Sequence, residues 1–333
     1  MTGPFLRSEF SMKSVLLAFL SAVILTGCAS SYGGHATLSS VSNFSEMQTK
    51  IGVWGDAAMP NTLIVMDDDD TLTMMDCPMQ SDPEKCQYLG GPAWYAWQSD
   101  LLKVPDSPFR VARDETELLD ISALLLAMND MPYTDSDIPA VLKNLTEKGA
   151  RLLVLTARGN SNVSATETQF KKLQIANKTF LNFVQNNAMH GNQSGIASIA
   201  GPVIPTNCAA KIPVSYQQGV MYASGQNKGV MLQCLMAVTN AGNIRNIAFI
   251  DDTAANVEDV YKAFKNNSNF NVLAMHYTRL EAHKDALTQP PGGSSQHNKY
   301  QKKAHARWVA LKDAMHQELL RPNLPASSRK HTD

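Results

Sequence analysis

The chain has almost no net charge: 29 lysines and arginines stand against 30 aspartates and glutamates, for a net charge of -1 over 333 residues. That balance excludes the broad basic surface a nucleic-acid partner requires, so no nucleic acid or other polyanion is expected as a partner. Its five cysteines include no C-x-x-C pair, which removes the usual zinc-site spacing. No internal repeat is present, which excludes a solenoid. The apolar run at 15–25 is too short to span a bilayer comfortably. What remains is a chain 44% hydrophobic and 18% charged, enough for a sizeable core in one large domain or one domain plus an insertion.

Met12 and Lys13 precede the short apolar run, which ends in Leu25-Thr26-Gly27-Cys28. A charged start, a short apolar stretch and small residues at a cleavage point describe a secretory signal. The ending LTGC resembles the lipobox of bacterial lipoproteins, in which the cysteine becomes the lipidated first residue. That resemblance implies a signal peptide at 1–28 and a lipid on Cys28. With Ala29 and Ser30 following and no aspartate beside the cysteine, it also implies an outer-membrane lipoprotein facing the periplasm. In such an oxidising compartment Cys77, Cys86, Cys208 and Cys234 are disulfide candidates. Of the three connectivities, nearest-neighbour pairing favours Cys77–Cys86 and Cys208–Cys234.

Residues 29–50, rich in Ser, Gly and Thr, read as a tether. A strand is expected at 62–66, then an insertion over 74–130 holding Trp94 and Trp97. Its helix starts after Asp114, with Leu118, Ile121, Leu125 and Met128 on one face. Asp137 and Pro139 open a helix with the stripe Ile138, Leu142 and Leu145, which Gly149 ends. A buried strand follows at 151–155, then a helix over about 165–173. Residues 180–225, rich in Asn, Gly and Pro, read as a second insertion with a hairpin from 213–216 and 220–223. A helix from Lys228, a strand at 246–250, a helix at 254–264 and a strand at 272–275 complete an α/β core over 51–73, 131–179 and 226–284. Alternating strands and helices predict a parallel sheet with helices on both faces. From 285 a linker leads to a last helix with Trp308, Leu311, Met315 and Leu319 on one side.

Four aspartates, 67 to 70, stand directly behind the apolar strand Leu63-Ile64-Val65-Met66. Adjacent carboxylates raise each other's pKa, so solvent or a metal ion has to offset the cost. A calcium loop beginning at Asp67 would need a glycine at 72 and a glutamate at 78; the chain has Leu72 and Pro78. Ligands of parallel α/β sheets bind beyond the carboxyl ends of the strands. At those ends stand Asp67 to Thr71, then Thr156, then Asp251-Asp252, with Lys228 opening a helix between the second and third.

That order resembles the haloacid dehalogenase (HAD) superfamily, mostly magnesium-dependent phosphatases. Its strand–DxDxT motif falls on Asp67, Asp69 and Thr71. Its strand-ending Ser or Thr falls on Thr156 in LLVLTARG, its Lys on Lys228 in GQNKG, and its acidic pair on Asp251-Asp252 in AFIDDTAANV. The runs GVMYASGQNKGVML and LTARG also resemble a family of exported bacterial HAD-like proteins. The chain departs from the exported acid phosphatases, whose last motif is closer to GDNxxDF; Asn256 stands where an acid is common.

The resemblance implies a HAD-like Rossmannoid core and a phosphomonoesterase acting on a small phosphorylated compound. Asp67 would attack phosphorus to give an aspartyl phosphate. Asp69 would protonate the leaving oxygen and then activate water. Thr156 and Lys228 would hold phosphate oxygens, and Mg²⁺ would sit between Asp67, the backbone carbonyl of Asp69, and the pair Asp251 and Asp252. Asp68 and Asp70 are expected to point away by alternation along an extended segment. The insertions at 74–130 and 180–225 fall where the superfamily carries caps. A non-catalytic binding lipoprotein and a phosphotransferase are the alternatives.

Overall fold

The computed structural model describes residues 34–77, 85–86, 88–189, 201–206, 208–239, 241–289 and 297–319. The signal segment and Cys28 lie outside the described residues. In chain order the elements are β1 (Ala36–Val41), α1 (Phe44–Ile51), β2 (Thr62–Met66), α2 (Pro92–Leu101), α3 (Glu115–Met128), α4 (Ile138–Glu147) and β3 (Arg151–Thr156). There follow α5 (Val163–Lys172), β4 (Gln174–Ile175), β5 (Lys178–Thr179), α6 (Phe180–Asn187), β6 (Ser215–Gln217), β7 (Val220–Tyr222) and α7 (Lys228–Val238). Last come β8 (Asn246–Asp251), α8 (Ala254–Phe264), β9 (Asn271–Tyr277), α9 (Glu281–Thr288) and α10 (Lys299–Leu319).

Seven strands form one sheet in the order β1-β9-β8-β2-β3-β7-β6, parallel except for the β6/β7 hairpin. The period-two alternation of side chains sends the strand residues to two separate cores. On one face Ile64, Met66, Leu152, Val154 and Ile250 pack with α1, α4 and α6 through Phe44, Met47, Leu142 and Phe180. On the other, Leu63, Val65, Leu153, Leu155 and Phe249 pack with α7 and α8 through Met231, Leu235 and Val260. The fold is therefore the expected α/β sheet with helices on both faces. β2 lies at its centre between β3 and β8, with Met66 beside Val154 and Ile250. This register brings the carboxyl ends carrying Asp67, Thr156 and Asp251 side by side.

Several expectations about the core's extent are corrected. Residues 36–50, expected as tether, belong to the core. β1 pairs in parallel with β9, and α1 starts at the Asn43 cap, whose side chain accepts from the Glu46 N–H at 2.8 Å. Phe44, Met47 and Ile51 bury one side of it. The serines and threonine that suggested flexibility occupy an edge strand, where small polar side chains are half-exposed. Within 180–225, α6 packs in the core, and β7 joins the main sheet by pairing with β3. α9, absent from the sequence reading, buries His283, Ala286 and Leu287.

Residues 88–128 form a third core. Trp94, Trp97, Leu101, Leu118 and Leu125 pack with Leu287 of α9 and Ala304 of α10. Both tryptophans are fully buried, so their role is packing. On α3, Leu126 turns inward, whereas Met128, expected inside, is 56% exposed. Disulfides join Cys77 to Cys86 and Cys208 to Cys234, the nearest-neighbour pairing. No helix among the described residues is long and apolar enough to cross a membrane. Gly149 ends α4 with φ +100°, a conformation a side chain would strain.

Candidate active site

The site is built where β2 and β8 end. The Asp67 N–H donates to the Ile250 carbonyl at 3.0 Å, so the ladder runs up to the first aspartate. Lys228, the first residue of α7, aims its ammonium between two strand ends: Nζ lies 2.5 Å from Asp67 Oδ1 and 2.6 Å from Asp251 Oδ2. Gly229 lets the start of α7 lie close against α8, because a Cβ there would collide with the Asp259 carbonyl. The Asp251 carboxylate also accepts from the Thr253 N–H at 2.8 Å and from the Asn256 amide at 3.1 and 3.2 Å. Asn256, standing where an acid is common, thus holds Asp251 in place. Asp252 Oδ2 lies 2.6 Å from Lys284 Nζ, and its backbone N–H donates to the Thr71 hydroxyl at 2.9 Å.

Asp67, Asp251 and Asp252 each present an oxygen within 4.8 Å of the others, and all three are buried. The structure therefore brings together Asp67, Lys228, Asp251 and Asp252. Thr156 ends β3 next to them, fully buried, and its hydroxyl accepts from the Arg158 N–H at 3.1 Å. The Asp69 carboxylate does not join the group. It faces Arg158, whose guanidinium grips both of its oxygens at 2.7 and 2.8 Å. The expectation for Asp69 at a cation concerns its backbone carbonyl, not this carboxylate.

The expectation that alternation turns Asp68 and Asp70 away from Asp67 and Asp69 fails for Asp69, because the segment does not stay extended. The Asp68 carbonyl accepts from the Leu72 and Thr73 N–H groups, both at 2.9 Å, and Asp70 has a left-handed φ of 58°. This tight turn sinks Asp68 and Asp70 inward. Asp68 pairs with Arg158 at 3.0 Å and accepts from the Thr73 hydroxyl at 2.7 Å. Asp70 is buried, and neither of its carboxylate oxygens has a hydrogen-bond partner.

Two further cations went unassigned in the sequence reading. Arg158 is buried at the start of the loop after β3, and also donates to Thr166 and Gln169 at 2.8 Å each. It stands in the LTARG run, where a basic residue two positions after Thr156 was the available signal. Lys284 comes from α9, which no motif marks.

Six carboxylates at positions 67–70, 251 and 252 thus share three cations, Lys228, Lys284 and Arg158. Burial pushes Asp67 well above the usual carboxylate range, and Asp251 and Asp252 add to the effect against the opposing pull of Lys228. Burial likewise raises Asp70, helped by Asp252, and raises Asp252 itself against Lys284. Asp68 is lifted by burial to about 6, with Arg158 holding it down. Burial opposes the charged form of Lys228, but the Asp251 and Asp67 carboxylates outweigh that cost and raise its pKa above the ordinary lysine value.

A site with surplus buried negative charge, three convergent oxygens and an unpartnered aspartate beside them suits a hard divalent cation. The oxygen-only donor set fits Mg²⁺ better than a soft metal. With Asp251 taken up by Lys228, Thr253 and Asn256, Asp67 and Asp252 are the carboxylates that could hold such an ion.

Residues 40–321 match the family described as "Protein of unknown function (DUF2608)". No curated protein matches the chain. Among solved structures, a crystal structure of cytosolic 5'-nucleotidase IIIB (cN-IIIB) bound to cytidine is 10% identical, with 80% of this chain and 91% of that chain covered and a TM-score of 0.30. A likeness that distant says nothing about the chemistry of the site.

Proposed function

Because this chain belongs to the DUF2608 family, whose description assigns no function, its chemistry must come from its own residues, and we propose a Mg²⁺-dependent phosphohydrolase for small phosphorylated compounds. One observation carries the reading. At the carboxyl ends of two adjacent central strands, a buried aspartate (Asp67) sits 2.5 Å from a buried lysine and within 4.8 Å of two further carboxylates. A binding protein has no need to confine a nucleophile in that way, and ligand sites of parallel sheets lie at these ends.

Asp67 attacks phosphorus, the ester oxygen leaves with the bond's electron pair, and an aspartyl phosphate forms; water then cleaves it and restores Asp67. Lys228 orients Asp67 through its contact with Oδ1 and supplies positive charge beside the transferred group. Asp69 passes a proton to the leaving oxygen and later takes one from water. To do so, one of its oxygens must leave the Arg158 fork. When bound, Mg²⁺ offsets the charge of phosphate and carboxylates. Thr156 lines the same end of the sheet.

The purified full chain is expected to hydrolyse a chromogenic phosphomonoester with Mg²⁺ and to lose that activity on chelation. No turnover across a broad ester panel, in a folded metal-supplied protein, would favour a binding role. Phosphate appearing on an added alcohol in place of water would favour a phosphotransferase.

The same reading places the protein outside the cytoplasm as a lipoprotein anchored through Cys28, in the outer membrane facing the periplasm. Two disulfides support an oxidising compartment. Cys28→Ser is expected to move the protein from the membrane to the soluble fraction; unchanged fractionation would reject the anchor.

A further inference from the structure

Lys284 reaches the site from α9, outside every motif. Its ammonium lies 2.6 Å from Asp252 Oδ2 and 3.1 Å from the Asp252 carbonyl oxygen. The same carbonyl lies 3.1 Å from His276 Nε2. The helix that delivers Lys284 is firmly held. The preceding residue, His283, is buried and stacked on Tyr88 with ring centroids 4.5 Å apart, and Leu287 packs in the core with Trp94 and Trp97. Lys284 is therefore presented to Asp252 by a fixed backbone, and only its side chain has room to move.

Asp251 is committed to Lys228, Thr253 and Asn256. A divalent ion at this site therefore depends on Asp67 and Asp252. On Asp252 it meets an ammonium already touching the carboxylate. The two cations compete for one oxygen, and like charges in contact repel strongly in a buried setting. Lys284 also has somewhere to go. Beside Asp252 opens a cavity of about 360 Å³ lined by His276, Lys284 itself, Glu281 and Asp285. Glu281 stands one turn before Lys284 on α9, on the same side of the helix, so a change of side-chain torsion, without movement of the helix, turns the ammonium toward it.

We propose that Lys284 is an internal competitor for the metal at Asp252. Its ammonium holds that carboxylate in the metal-free protein and swings into the adjoining cavity, toward Glu281, when a divalent cation binds. This rests on Asp67 and Asp252 being the cation ligands. Lys284 is thus a positioning residue: it keeps Asp252 ordered and aimed without a metal, at the cost of weaker metal binding.

The test is a Mn²⁺ titration of the full chain followed by the electron paramagnetic resonance of free Mn²⁺, needing no turnover. Lys284→Met is expected to lower the apparent Kd about tenfold, since it removes the competing charge and keeps the stem's packing. Lys284→Arg, which keeps the charge, stays near wild type. Should the Met variant melt early, Lys284→Gln serves in its place with the same expected direction. Unchanged or weaker binding in the neutral variants overturns the proposal. Asp252→Asn separates the two claims. Binding lost there but unaffected by Lys284→Met rejects the competition alone, whereas binding that persists in Asp252→Asn rejects the cation site itself.

Discussion

Replacing Asp67 by asparagine removes phosphomonoester turnover, a loss of about 10⁴-fold or more, while the protein stays folded. An amide matches the carboxylate in shape but is a poor nucleophile, so no aspartyl phosphate forms. The fold tolerates the change because Lys228 retains Asp251 at 2.6 Å. Burial together with Asp251 and Asp252 already disfavours the charge on Asp67, so its loss relieves repulsion as well as removing an ion pair. Turnover and melting temperature, measured on the same preparation, check both halves. A fully active Asp67→Asn protein would eliminate Asp67 as nucleophile.

Arg158→Met destabilises the chain by about 3–5 kcal/mol, because it leaves the fully buried Asp68 and the partly buried Asp69 beside each other without a counter-ion. Its side chain is 3% exposed, grips both Asp69 oxygens, lies 3.0 Å from Asp68 Oδ2 and donates to Thr166 and Gln169. Gln169 in turn donates to the Leu126 carbonyl at 2.6 Å, so the network fastens the end of α3 to the nucleophile segment. With Arg158 removed, Asp68, already lifted to about 6, rises further and takes a proton near neutral pH. Partial protonation limits the loss but does not restore the lost hydrogen bonds. Urea unfolding of the wild-type and variant proteins gives the difference directly. Arg158→Lys, which keeps charge but not the planar fork, falls between them. A change under about 1 kcal/mol would show that Arg158 is not the anchor of this turn.

These two residues mark how differently the sequence revealed its parts. Asp67 was legible because local pattern alone exposes it: an apolar run of four residues at 63–66 followed at once by charge reads as a buried strand meeting a polar end. The same holds for Asp251-Asp252 behind β8 and for Lys228 opening α7. Arg158 stands within LTARG with no role legible there, since a lone arginine after a strand looks the same whether it faces solvent or the carboxylates of Asp68 and Asp69. The Asp68–Asp70 turn was misjudged for a related reason. Alternation applies to extended chain, and Asp70 in the left-handed region breaks it.

The chain's own order of residues determined the parallel α/β framework and the strands whose ends carry Asp67, Thr156 and Asp251. Each follows from periodicity, capping residues or spacing within a short window. Only the tertiary structure decided that β1 and β7 belong to the sheet, that α9 closes on the third core, and that Arg158 and Lys284 share the acidic cluster with Lys228. A short edge strand of small polar residues has no apolar signature of its own. The pairing of one charge with another depends on distance through space, which spacing along the chain does not encode.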